Sequence, residues 1–350
     1  METKLTVFIE EDYSGKAPRF RAQIERLRAR KDLGFRFVAS PGKDLGSVVR
    51  PEDIAEADLY ILMGKRRMDA SSFQGLEKLQ WIGRFGAGFE NVDIPSCNRK
   101  GILLSNAPLG IRQPVAELVM AYIFSLTMRL PFFDRYIRSK GFAGKGEHPT
   151  RCVQGQTLGL VGAGGIARTV VELVRPLGMK VLAFDPYGDA AALKAVGVEL
   201  CGLDRLLESS DYISVHVPLS PETRGMLREE HFRKMKPGAF FINTSRGGIY
   251  SDAVLARALR EGWIAGAGID VFEDEPEVMG NPLLSCDNAI LTPHTAGAMN
   301  NIDSIGMVME SLVDSIFKIA EGGLPDNIVN PEASRRPVPP EKVTSSFQPR

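Results

Sequence analysis

Charge of one sign is what this 350-residue sequence lacks: 43 lysines and arginines stand against 43 aspartates and glutamates. Such a balance offers no polybasic or acidic surface, so neither nucleic acid nor an anionic membrane is expected as a partner. Long hydrophobic runs are missing too. The longest uncharged apolar run, Leu118–Met128, falls short of the roughly 20 residues that span a bilayer. No basic start leads into a signal-peptide core, and Leu5–Ile9 already reads as a strand, so a cytoplasmic protein is expected. Cys97, Cys152, Cys201 and Cys286 are scattered without a CxxC pair, which suits structural thiols in a reducing compartment. His148, His216, His231 and His294 lack metal-ligand spacing, and no metal site is expected. No internal repeat is visible.

Glycine, by contrast, is placed with a pattern. Thr157–Val161 reads as a buried parallel strand, and Gly162-Ala163-Gly164-Gly165-Ile166-Ala167 follows it in the form G-x-G-x-x-G/A. A helical period comes next (Ile166, Val170, Leu173, Val174, Leu177), with Gly178 placed to cap it. Val181–Phe184 is the next strand, and Asp185 stands at its carboxyl end. Gly162 allows a tight turn, Gly164 leaves room for a pyrophosphate, and Ala167 permits close helix–strand packing. The helix start supplies N–H donors to phosphates, and Asp185 can accept from ribose hydroxyls. The unit predicts a dinucleotide site.

A chain of this length has room for about two domains. Apolar runs alternate with helical patterns, which argues for α/β architecture with parallel sheets. Strands are expected at Leu5–Ile9, Phe35–Ala39, Leu59–Met63, Trp81–Gly83 and Ile102–Leu104, with helices at Gln23–Arg30 and Ile54–Ala57. Pro114 suits a first helical turn. The helix after it, over 114–128, is apolar nearly all round, hard to bury within one domain, and points to packing between domains or subunits. Further strands are expected at Tyr212–Val217, Ala239–Asn243, Ala267–Ile269 and Ala289–Thr292. Ser251-Asp252 and Gly262 bracket a surface helix at Ala253–Arg260. A long helix at about 302–320 returns to the first block. The expected division is 1–106 plus 303–330 as one domain, 107–302 as the dinucleotide-binding domain, and 331–350, with its five prolines, as a mobile tail.

Five segments together resemble the D-isomer-specific 2-hydroxyacid dehydrogenase family. They are Gly86-Ala87-Gly88-Phe89-Glu90-Asn91-Val92-Asp93, the fingerprint at 162–167, His216-Val217-Pro218-Leu219, Asn243-Thr244-Ser245-Arg246-Gly247-Gly248, and the stretch from Gly268 through Asp270, Glu275 and Pro276 to Thr292-Pro293-His294. The resemblance covers about residues 1–330. It implies two Rossmann-like or flavodoxin-like parallel-sheet domains with an active-site cleft between them. It implies NAD as cofactor and interconversion of a small 2-keto acid with a D-2-hydroxy acid. His294 would protonate the carbonyl oxygen, a task suited to imidazole. Glu275 would hydrogen-bond the far ring nitrogen and fix its orientation. Arg246 would hold and polarise the substrate. Amides around Ala87 and Gly88 would grip the substrate carboxylate. Gly162, Gly164, Gly165, Ile166, Asp185, Val217, Pro218, Thr244, Asp270 and Gly297 would line the cofactor, with Asp270 near the nicotinamide carboxamide. Family members dimerise through the nucleotide-binding domain, so a homodimer is expected.

The same resemblance ranks the alternatives. Hydroxypyruvate or glyoxylate reduction, or a sugar-acid analogue, leads, with phosphoglycerate oxidation next. Formate dehydrogenases pair the histidine with glutamine, and phosphite dehydrogenases carry lysine where Ala87 stands, so neither fits. A non-enzymatic corepressor-like dimer that senses NAD(H) shares the fold and triad, but nothing here supplies a partner-binding feature. Lys65-Arg66-Arg67 could meet a phosphorylated substrate but reads better as a solvated charge run. Arg84 could face substrate or solvent. After His294, Thr295-Ala296-Gly297 identifies no substrate.

Overall fold

The computed structural model describes residues 5–10, 15–38, 47–64, 66–297 and 301–335. Two compact units divide the chain: Met1–Ile111 with Gly297–Arg350, and Arg112–Ala296. The sequence reading sets the breaks a few residues away, at 106/107 and 302/303.

The first unit opens with β1 (Leu5–Ile9), α1 (Pro18–Ala29), β2 (Leu33–Phe37), α2 (Pro51–Ile54), β3 (Leu59–Leu62), β4 (Trp81–Arg84), α3 (Ile94–Lys100) and β5 (Leu103–Asn106). The strands form one parallel sheet in the order β2-β1-β3-β4-β5. The winding reverses beside β1, the flavodoxin-like arrangement in which ligands bind outside the carboxyl ends of the strands. β3 is buried along its whole length, as a central parallel strand covered on both faces must be.

Next comes α4 (Leu109–Thr127), and here the sequence expectation needs two corrections. Pro114 does not start the helix; it lies inside it. Proline has no N–H to give the Gly110 carbonyl four residues back. That carbonyl accepts instead from Ser304 Oγ at 2.7 Å. Second, much of the helix's apolar surface is covered within its own unit. Ala116, Val119, Met120, Tyr122, Ile123 and Leu126 are buried in one cluster with Leu158, Leu160 and Val170 of their own unit.

The second unit continues through α5 (Leu130–Lys140), β6 (Thr157–Val161), α6 (Gly165–Val174), β7 (Lys180–Phe184), α7 (Ala190–Ala195), β8 (Val198–Leu200), α8 (Leu203–Ser209), β9 (Tyr212–Val215), α9 (Glu229–Lys234), β10 (Phe240–Asn243), α10 (Asp252–Arg260), β11 (Gly266–Ile269) and β12 (Ala289–Leu291). Its seven strands are parallel, in the order β12-β11-β10-β9-β6-β7-β8. Alternate strand residues enter opposite cores: Ile213, Val215 and Phe241 on one face, Tyr212 and Ile242 on the other. The winding reverses between β6 and β9, so the glycine loop after β6 sits at the topological switch point.

α11 (Ile302–Ala320) belongs to the first unit and packs on α1. Arg19–Glu310 and Arg26–Asp314 ion pairs join the two helices. The expected mobile tail is corrected at its start. Pro331–Arg335 form a 3-10 turn with Ala333 buried, and Asn330 Oδ1 just before it accepts from the Leu104 amide at 2.7 Å. The rest of that tail, 336–350, lies outside the described residues.

Candidate active site

β6 delivers the glycine loop. Gly162 has φ 95°, a conformation open to glycine and strained for other residues. A Cβ there would lie 3.0 Å from both the His216 carbonyl carbon and Val217 Cγ1. Gly164 faces open space, with no atom within 4 Å of where its Cβ would be. Gly165 and Ile166 begin α6, whose first N–H groups and positive dipole end suit a phosphate. Asp185 is fixed beside this loop: Oδ2 accepts from Ala163 N and Oδ1 from Tyr187 N, both at 2.9 Å.

Two further strands wall the loop. After β9, the Pro218 carbonyl accepts from Thr223 Oγ1 at 2.6 Å. Burial pushes the His216 imidazole down to about 4, and its Nε2 lies 2.9 Å from Ser214 Oγ, so the ring is neutral near pH 7. After β10, Thr244 is buried, and its hydroxyl has no partner among the described residues. A buried hydroxyl without a partner is costly unless a ligand supplies one. The orphaned Thr244 hydroxyl, the open face over Gly164 and the anchored Asp185 fit a dinucleotide.

A second cluster is assembled from the loops after β10, β11 and β12. Asn243 folds the first loop: Oδ1 accepts from Ser245 N, and Nδ2 donates to the Arg246 carbonyl. Arg246 Nη1 donates to the Ser245 carbonyl at 2.7 Å. Gly247 then packs against the second loop so closely that a Cβ would lie 1.9 Å from the Phe272 carbonyl oxygen. The Phe272 amide donates to Glu275 Oε1 at 3.1 Å. Glu275 Oε2 stands 2.8 Å from His294 Nδ1. His294 itself has φ 54°, a left-handed conformation uncommon outside glycine, and its amide donates to the Asp270 carbonyl. Strain of this kind persists where surrounding structure enforces it, often at functional sites.

The enforcement comes from Asp270. Its fully buried carboxylate accepts from Thr292 Oγ1 (2.5 Å), Thr295 N (2.7 Å) and Ala296 N (3.0 Å). Gly268 lets the Tyr122 ring close over β11, and the Tyr122 hydroxyl reaches Thr292 Oγ1 at 2.5 Å. The second loop has its own anchor. Asp252 N donates to Glu273 Oε2 at 2.6 Å, and Glu273 N donates to Asp252 Oδ2 at 3.0 Å. Glu273 thereby covers the start of α10, where the sequence reading placed the pair Ser251-Asp252; the Ser251 side chain makes no cap bond. Sequence reasoning missed Tyr122, Thr292, Thr295 and Glu273 as supports, since no local pattern links residues so far apart in the chain.

In the first unit, Ala87 and Gly88 follow β4. Asn106 Nδ2 donates to the Ala87 carbonyl at 2.6 Å, and Ala107 N to Gly86 O at 2.9 Å, which fixes this loop. Arg84 donates to the carbonyls of Phe85 and Gly64 and to Asn91 Oδ1, so it braces loops. The expected solvated run at 65–67 is corrected at Arg66. That side chain is buried, donates to Glu10 Oε1 at 3.1 Å, and lies 3.6 Å from Asp53. Burial raises the Glu10 carboxyl above its ordinary range, against the opposing bonds from Tyr60, Met63 and Arg66. Arg67 is exposed, and Lys65 lies outside the described residues. Gly297 opens the second segment of this unit and faces open space.

Residues 120–296 match the family profile described as the D-isomer specific 2-hydroxyacid dehydrogenase, NAD binding domain. The chain belongs to this family. A glyoxylate reductase from Korarchaeum cryptofilum is 35% identical over 285 residues, which cover 80% of this chain and 85% of that one. A D-3-phosphoglycerate dehydrogenase from Archaeoglobus fulgidus is 35% identical over 288 residues, 80% of this chain and 53% of that longer one. A D-lactate dehydrogenase from Aquifex aeolicus, solved with NAD and lactic acid, superposes with a TM-score of 0.78 at 28% identity, over 93% of this chain and 99% of that one. The protein is thus an NAD-dependent D-2-hydroxyacid dehydrogenase, an oxidoreductase that interconverts 2-keto and 2-hydroxy acids.

Proposed function

We propose that this dehydrogenase reduces a small 2-keto acid of glyoxylate or hydroxypyruvate size, with NADH in preference to NADPH. The observation that carries the reading is the 2.8 Å pair between His294 Nδ1 and Glu275 Oε2, framed by the Arg246 turn. NADH, when bound, supplies the hydride that adds to C2. His294 gives the matching proton to the carbonyl oxygen from Nε2, because Nδ1 faces Glu275. Glu275 stabilises the imidazolium and holds the ring in place. Arg246 takes the substrate carboxylate and polarises the carbonyl. Gly162, Gly164, Gly165, Ile166, Val217, Pro218 and Thr244 line the cofactor, with Gly297 assigned there on the family resemblance. Asp270 holds the His294 loop from a fully buried position, and its place near the nicotinamide carboxamide is assigned on the family resemblance.

Two observations favour a small, unphosphorylated acid. The glyoxylate reductase relative is matched over most of its length. Arg66 and Arg84 already bind partners inside the protein, which removes two cations a phosphoryl group would need. The phosphoglycerate dehydrogenase relative makes 3-phosphohydroxypyruvate the competing substrate. Asp185 supports NADH, since its carboxylate repels a 2′-phosphate and Pro186-Tyr187-Gly188-Asp189 contains no compensating cation. The balanced charge supports a protein with no nucleic-acid or membrane partner, and the scattered cysteines without a CxxC pair support a cytoplasmic one. The protein is proposed to act as a homodimer.

The test is NADH and NADPH oxidation over glyoxylate, hydroxypyruvate, pyruvate and 3-phosphohydroxypyruvate. The highest kcat/KM is expected for glyoxylate or hydroxypyruvate with NADH. A higher value with the phosphorylated acid, or equal efficiency with NADPH, contradicts the reading.

A further inference from the structure

Arg112 lies 53 residues before Gly165 in the chain and against it in the fold. A Cβ on Gly165 would meet Arg112 Nε at 2.5 Å, Cζ at 2.6 Å and Nη2 at 2.9 Å. The guanidinium therefore fills the space where a side chain at the first residue of α6 would stand. It is half-buried and makes no hydrogen bond or ion pair with any described residue. That placement is electrostatically incomplete. The start of α6 carries the positive end of the helix dipole and unsatisfied N–H groups, where a cation is disfavoured and an anion favoured. A permanent positive charge set there without a carboxylate raises the local potential further. A ligand bearing negative charge at this point would complete the arrangement. Gly164, next in the chain, leaves the approach open.

We propose that Arg112 is a further cofactor-binding residue whose guanidinium holds the pyrophosphate of NAD against the first turn of α6. Gly165 is the position that makes room for it. The inference rests on the NAD site at the glycine loop and adds to it a charged contact from another element. A guanidinium can give two parallel N–H···O bonds to phosphate oxygens, stronger than the neutral N–H donors of the loop. Arg168 is the other arginine beside this loop, but its Nε points to the Ala163 carbonyl at 3.4 Å and its side chain is exposed.

The experiment is equilibrium binding to the full chain, read by NADH fluorescence and by competition with ADP-ribose, which has the pyrophosphate, and adenosine, which has none. Arg112→Gln should weaken NADH and ADP-ribose by about 10- to 100-fold, the span expected for a charge-assisted bond. Adenosine should compete as before. The dependence of NADH binding on salt should become shallower, and Arg112→Lys should fall between. Without ligand, the Tm of Arg112→Gln should equal or exceed that of the wild type, since a charge disfavoured at the helix start is gone. Gly165→Ala should copy the binding loss by displacing the guanidinium, and should add no further loss to Arg112→Gln. Unchanged NADH affinity and salt dependence in Arg112→Gln would overturn the proposal. So would an equal loss for adenosine with a lowered Tm, which marks a structural role. Failure of the wild-type chain to bind NADH would instead overturn the cofactor site on which the proposal rests.

Discussion

At Gly247 any side chain would push apart the turn that carries Arg246 and the loop that carries Glu275, because the Phe272 carbonyl oxygen lies 1.9 Å from the Cβ position. Gly247→Ala should therefore lower kcat/KM for keto-acid reduction by about 100-fold, the scale of a 1 Å misplacement of reacting groups. NADH affinity should change much less, since the glycine loop is on another strand. Steady-state kinetics beside an NADH titration checks this, and near-normal turnover would contradict it. Residue type was a good guide where chemistry dictated it. Glu275 and His294 were legible from motif order, and the structure brings their side chains to 2.8 Å. It was a poor guide where burial decides. The run at 65–67 reads as surface charge, yet Arg66 is drawn inward by Glu10, 56 positions earlier. Arg84 likewise gives its donors to backbone carbonyls that no local pattern reveals.

Among the described α-helices, α5 is the one with no buried residue; Leu130 and Ile137 are 54% and 46% exposed, and Phe132, Phe133 and Tyr136 cluster with His148. An amphipathic helix gains stability by covering its apolar face, and in the proposed homodimer a second copy of this chain would supply that cover. The dimer argument thus moves from α4, much of whose apolar surface its own unit already covers, to α5. Leu130→Glu with Ile137→Glu should convert a species of twice the 38.3 kDa chain mass to one of that mass in sedimentation, with the helices elsewhere intact. A wild-type monomer, or a double variant that stays dimeric, would contradict this. The sequence pattern did not mark α5 as an element, because its apolar residues have no core to answer to. It placed most strands well, since parallel strands buried on both faces are continuous apolar runs. Helix starts were less legible: α4 begins before its proline because Ser304, 190 residues downstream of Pro114, repairs the missing bond.

Each unit as a whole follows one rule: a parallel sheet whose winding reverses, with functional loops at the carboxyl ends of its strands. The α/β class was legible from the alternation of strand and helix periods. Strand order was not, because short apolar runs of similar composition do not say which neighbours they pair with. The chemistry assigned to the molecule turns on one pair, His294 as acid and Glu275 as its partner. The most direct measurement is kcat for keto-acid reduction by the wild type, Glu275→Gln and His294→Ala at saturating NADH and keto acid, beside NADH titrations. Glu275→Gln keeps the shape and removes the carboxylate that faces His294 Nδ1, so kcat should fall with NADH binding little changed. His294→Ala should lose more, about 100- to 10,000-fold in kcat, the usual scale of general acid catalysis. Near-normal kcat in either variant would contradict the account.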